Sequence, residues 1–110
     1  LLCEENGTEL ILVKAPSVYP YWYDEYQAQI DDYAEKHGLS FYNLLDVAET
    51  VGIDYNTDTY DGGLHLNFVG AKKLSVYFAD LLAEKHNLEA HRGENSKFDT
   101  ILIQYDQATK

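Results

Sequence analysis

The sequence contains no methionine and has only one cysteine, two prolines and eight basic residues. Cys3, standing alone, excludes an internal disulfide and leaves the redox compartment open. One cysteine with scattered histidines also lacks the ligand spacing of a closed zinc site. Eight bases against nineteen acids give a formal charge of -11, which repels phosphate backbones, and no basic patch offsets it. Nucleic acid is therefore not an expected partner. No apolar run approaches the roughly 18 residues of a membrane span. Leu1-Leu2-Cys3 matches the end of a lipoprotein signal, but the charged and apolar regions that belong before it are absent. The missing methionine predicts a processed product or a portion of a longer polypeptide.

What is present suits one small domain. The chain has 110 residues, 45% of them hydrophobic and 25% charged, the balance of a globular chain. Residues 1–7 read as the last turn of a helix with Gly7 as its left-handed stop. Residues 9–15 are a largely apolar run ended by Pro16, the pattern of a strand covered on both faces. Asp24 opens a helix, with Gln27 three residues on completing a capping box. Tyr26, Ile30, Tyr33, Ala34 and His37 share one face of it, and Gly38 closes it. Residues 39–45 are a second strand candidate. Strand, helix and strand make a βαβ unit with a right-handed crossover, so the expected class is α/β with a doubly covered parallel sheet.

Residues 46–66 form a long polar connection with one helical turn at 47–50, a length that marks a functional candidate. Asn67 caps the next helix, whose stripe is Leu74, Tyr77, Phe78, Leu81 and Leu82, and Lys85-His86-Asn87 end it. Residues 88–96 are polar and loop-like, and 100–105 are a candidate edge strand. The expected division is a main body at 1–87 and a polar linker with that extra strand at 88–110.

Open α/β sheets bind ligands at the C-terminal ends of their strands. Two loops belong there, 16–23 and 46–66, and His65 lies at the end of the second. A histidine so placed accepts a proton from a serine hydroxyl if an acid holds its other nitrogen. The same residue also serves, more simply, as a loop histidine that bonds backbone ahead of a helix.

Tyr60-Asp61-Gly62-Gly63-Leu64-His65-Leu66-Asn67, with Gly70 and the helix beyond, resembles the C-terminal block of the SGNH/GDSL hydrolases. In that family an Asp-x-x-His segment supplies the acid and base of a Ser-His-Asp triad on a three-layer, flavodoxin-like sheet. The resemblance covers residues 1–87 and implies the C-terminal half of such a domain. It assigns His65 as base. The family's acid stands three residues before the histidine, where this chain has Gly62. Asp61, four before, is the favoured orienter through the flexibility of the paired glycines, with Asp58 the alternative. The Gly-Asp-Ser nucleophile block and the oxyanion donors have no counterpart here. Ser17, Ser40, Ser75 and Ser96 lack that context, although Ser17 follows a strand. The resemblance thus implies a serine esterase or O-acyltransferase acting on an acylated carbohydrate or other ester, with the nucleophile outside this chain. The chain alone is then expected to be inactive. No cofactor is implied, and the location implied is secreted or bacterial cell envelope.

Two other classes compete. Residues 19–26 are dense in aromatics, and Tyr19, Tyr21 and Trp22 are candidates to stack on a sugar or acyl group. They fit a substrate-binding role beside His65 or a non-catalytic carbohydrate- or peptide-binding module. A half-domain completed by strands from elsewhere, either its own missing N-terminal half or another chain, is the third class. Asp54, Asn56 and Asp58 occupy the first positions of an EF-hand-like calcium spacing, but Thr59 replaces its glycine and His65 its bidentate glutamate.

Overall fold

A computed structural model describes residues 1–18, 22–89, 91 and 93–109. The chain divides into two compact units, Leu1–Phe78 and Ala79–Lys110.

The first unit begins with Leu2–Glu5 (α1). Gly7 takes φ +63°, and the N–H groups of Gly7 and Thr8 donate to Glu4 O at 3.0 Å and Cys3 O at 2.8 Å. These bonds satisfy carbonyls that a helix end leaves open, as the glycine stop predicts. Ile11–Lys14 (β1), Asp24–His37 (α2) and Ser40–Asn43 (β2) then form the βαβ unit. The strands are parallel, from Ile11 opposite Ser40 to Lys14 opposite Asn43. They make a two-stranded sheet, and the fold is mixed α/β. Among the described residues no strand pairs with the other edge of β1, and Val13 on it is exposed.

The start of α2 departs from the expected capping box. Tyr23 is the N-cap and makes no side-chain cap bond, while Asp24 and Glu25 complement the helix dipole from inside the first turn. Gln27 instead holds the helix to the sheet: its Oε1 accepts from Trp22 Nε1 at 2.9 Å and from Asn43 Nδ2 at 3.0 Å. Of the expected apolar face, Ala34 is buried and Ile30 half-buried, whereas Tyr26, Tyr33 and His37 stay exposed. A sheet two strands wide gives a helix only a narrow strip to cover. The core is correspondingly small: among the described residues the buried hydrophobic side chains are Ala34, Leu44 and Ala48, and Pro16 is also fully buried.

Ala48–Val51 (α3) is the short turn expected in the long connection, ended by Gly52 at φ +79°. Phe68–His86 (α4) follows. Asn67 caps it, Oδ1 accepting from Val69 N–H at 2.9 Å and Gly70 N–H at 3.1 Å. The stripe from Leu74 to Leu82 is half-buried along its length. Within the first unit Phe78 meets Tyr42 of β2 edge-on, the rings 6.4 Å apart.

The second unit holds the end of α4 and Ser96–Ala108 (α5). The edge strand expected at 100–105 is part of this helix. Asn95 Oδ1 accepts from Lys97 N–H at 3.2 Å and Phe98 N–H at 3.3 Å, a cap that commits the following residues to helix. Ile101-Leu102-Ile103 alone fits either period, and the cap decides it. No helix among the described residues is long and apolar enough to cross a membrane.

Candidate functional site

The histidine loop is built on a fixed base. Thr59 and Leu66 form an antiparallel bridge, and Tyr60 N–H donates to His65 O at 3.3 Å. Below the bridge Asp58 is buried. Its Oδ2 accepts from Lys73 Nζ at 2.7 Å and Asp54 N–H at 2.9 Å, and its Oδ1 from the Thr57 hydroxyl at 3.3 Å. Lys73 also donates to Gly52 O at 3.0 Å, so one ammonium ties α4 to the end of α3 and to the loop. The Lys73 hydrogen bond, followed by that from Asp54, holds the Asp58 carboxyl below the usual carboxylate range. Asn67 Nδ2 donates to Thr57 O at 2.8 Å and Thr59 O at 3.3 Å. At Gly70 a Cβ would lie 2.4 Å from Asp58 O, so only glycine lets the first turn of α4 approach this backbone.

Above the base the chain doubles back through Gly62 and Gly63, at φ +76° and +102°, a region that disfavours side chains. The turn carries the Asp61 carboxylate under the residues that follow it. Oδ1 accepts from Leu64 N–H at 3.1 Å and His65 N–H at 2.8 Å, and Oδ2 is bonded to His65 Nδ1. An ionised carboxylate only accepts, so Nδ1 carries the proton and Nε2 of the neutral ring is left as an acceptor. The hydrogen bond from His65 is the main reason the Asp61 carboxyl lies below its ordinary value. The Tyr60 ring stacks on the imidazole, 12° from parallel and 5.8 Å between centroids.

The loop after β1 is stitched to this one. Val18 N–H donates to Gly63 O at 2.8 Å, and a Cβ on Gly63 would sit 2.2 Å from Val18 Cγ2. Between the two loops opens a mainly apolar cavity of about 740 Å³, lined by Lys14, Pro16, Ser17, Tyr60, Leu64 and His65 among others. Ser17 is buried, and its Oγ accepts from Lys14 Nζ at 3.0 Å. Lys14 also donates to Ala15 O, and its ammonium stands 5.5 Å from the centre of the Trp22 ring.

The structure therefore brings Asp61 to His65 and commits Asp58 to Lys73. The calcium-like spacing folds as a turn in which Asp54 Oδ1 accepts from Asn56 N–H at 2.9 Å. Among the described residues no three His, Cys, Asp or Glu side chains group as metal ligands. Tyr19 and Tyr21 lie outside the described residues. Trp22 has its indole N–H on Gln27 and does not line the cavity, although the Lys14 ammonium that does stands over its ring. Sequence reasoning passed over Lys14, although its signal was legible: a lysine ending an apolar strand, where an open sheet presents its ligand site. Comparison with models of protein families, with curated proteins and with solved structures gives no match to this chain.

Proposed function

We propose that Asp61 and His65 are the acid and base of a serine-type acyl-transfer site, working on an ester or acylated carbohydrate with a nucleophile outside this chain. The observation that carries this reading is the His65 Nδ1 to Asp61 Oδ2 bond at the wall of an open, largely apolar cavity. Asp61 fixes the tautomer and would compensate an imidazolium once it formed. His65 Nε2 takes the proton as a serine oxygen attacks the ester carbonyl carbon. The tetrahedral intermediate collapses, the ester C–O bond breaks, and the departing alcohol leaves with the proton from Nε2. Water or a sugar hydroxyl then repeats the sequence on the acyl-enzyme, giving hydrolysis or transfer. The flavodoxin-like sheet belongs to the same proposal: strands from the N-terminal half of the domain would pair with the edge of β1 that no strand covers among the described residues.

The test is fluorophosphonate labelling of the complete source protein, with the adduct located by mass spectrometry. An adduct on a serine preceding Leu1 that disappears in His65→Ala supports the reading. A folded protein that takes no label, or labels equally without His65, overturns it.

A further inference from the structure

Lys14 is the cation in this cavity, and among the described residues no carboxylate is paired with it. The contrast with Lys73 is direct, since Lys73 sits on Asp58 at 2.7 Å. Lys14 is half-buried and spends two of its three N–H donors on neutral oxygens, Ala15 O and Ser17 Oγ. Burial pulls its pKa below the ordinary lysine value, the direction expected of a cation short of compensating charge. The Trp22 ring face contributes only a weak counter-charge. Partly desolvated cations are normally paired, and one left unpaired in a cleft marks a ligand position.

We infer that Lys14 and Ser17 form a receptor for a single carboxylate carried on a short aliphatic body, in the cavity beside His65. The remaining ammonium N–H and the Ser17 O–H offer two donors, the number of oxygens a carboxylate presents. Ser17 can donate because its oxygen already accepts from Lys14. A dianionic phosphate is disfavoured by one cation in a chain of net charge -11. Pro16, Leu64 and Leu66 supply apolar walls for the body of the ligand. The inference rests on the acyl-transfer reading only for its meaning: the bound acid is then the one released when a short-chain ester is hydrolysed.

The experiment is a titration of the complete source protein with butyrate and, separately, with butyramide, followed by NMR of the Lys14 ammonium and the backbone amides of Lys14, Ala15, Ser17, Val18 and residues 63–66. Butyrate is expected to bind at least about tenfold more tightly than its neutral match, the scale of one charge-assisted hydrogen bond. Lys14→Met should remove that preference, Ser17→Ala should weaken it about fivefold, and Lys14→Arg should retain it and report that the fold survives substitution at this position. Equal binding of the two probes, or a preference that survives in a folded Lys14→Met, overturns the inference. A fluorophosphonate adduct on Ser17 that is lost in Lys14→Met overturns it too, because Lys14 would then be a neutral base. Butyrate binding is separable from ester turnover. Binding without turnover in the complete protein counts against the acyl-transfer reading alone, and turnover without a butyrate preference counts against the receptor alone.

Discussion

Asp61 holds His65 at two points: its Oδ2 on the ring Nδ1, and its Oδ1 on the backbone N–H at 2.8 Å. One carboxylate thus fixes both the loop that presents the imidazole and the tautomer of the imidazole itself. The two roles separate by mutation. Asp61→Asn keeps an oxygen for the backbone donors of Leu64 and His65 but turns an amide N–H toward the ring, which favours the wrong tautomer. On the acyl-transfer reading proposed above, the ester turnover of the complete protein should fall by about 10³- to 10⁴-fold in kcat with the circular dichroism spectrum unchanged. A loss of less than about tenfold would show that His65 does not act through Asp61.

The two glycines of the loop should respond differently. Each has a positive φ, so alanine at either costs about 1–2 kcal/mol of backbone strain. At Gly62 nothing lies within 4 Å of the added Cβ, and the cost ends there. At Gly63 the Cβ meets Val18 Cγ2 at 2.2 Å, and the two loops must separate. Gly63→Ala is therefore expected to cost about 2–5 kcal/mol in all and to displace the Val18 amide from Gly63 O. Thermal melts of the two variants, with hydrogen exchange at Val18, check the difference. Equal melting temperatures would mean that the loops are not locked at this point.

These two glycines also show how far the site was legible in sequence. Their pairing signalled a sharp reversal, and with the acid before them and the histidine after, the Asp61 to His65 contact was a local consequence. Asp58 was ambiguous because the residue that claims it, Lys73, lies 15 positions on in α4, beyond the reach of spacing arguments. Lys14 and Ser17 were legible by position, at the end of a strand and just after it, but the cavity they line depends on the packing of one loop against the other. In the fold, the βαβ unit and α4 followed from apolar period and glycine stops. The edge strand at 100–105 failed because three consecutive apolar residues carry no period, and the deciding cap, Asn95, stands five positions upstream of the segment.

Asn67 joins helix and loop through opposite ends of one amide. Asn67→Asp should keep the cap on α4 and lose the donors to Thr57 O and Thr59 O, whereas Asn67→Ala loses both. The alanine variant is expected to be destabilised by about 2–3 kcal/mol and the aspartate variant by about half as much. Urea titrations of both would measure the split. Identical midpoints would assign the whole effect to the loop carbonyls.

The Asp58–Lys73 pair makes the stability of the fold depend on acid pH. Asp58 titrates below its ordinary value in the folded chain, so the unfolded chain takes up a proton that the folded one refuses. The stability this contributes is fully present above the unfolded carboxyl value, about 3.9, and is lost as pH falls through the lower folded value. Asp61, also lowered, adds to the same acid slope. Lys73→Met leaves a buried carboxylate without its cation. It should lower the melting temperature by about 10 °C at neutral pH, and by progressively less as pH falls below the unfolded carboxyl value and protonation of Asp58 sets in. Melting curves of wild type and variant from pH 7 to pH 3 give the answer. Parallel curves over that range would show that the ion pair, although buried on its acidic side, contributes nothing that protonation can remove.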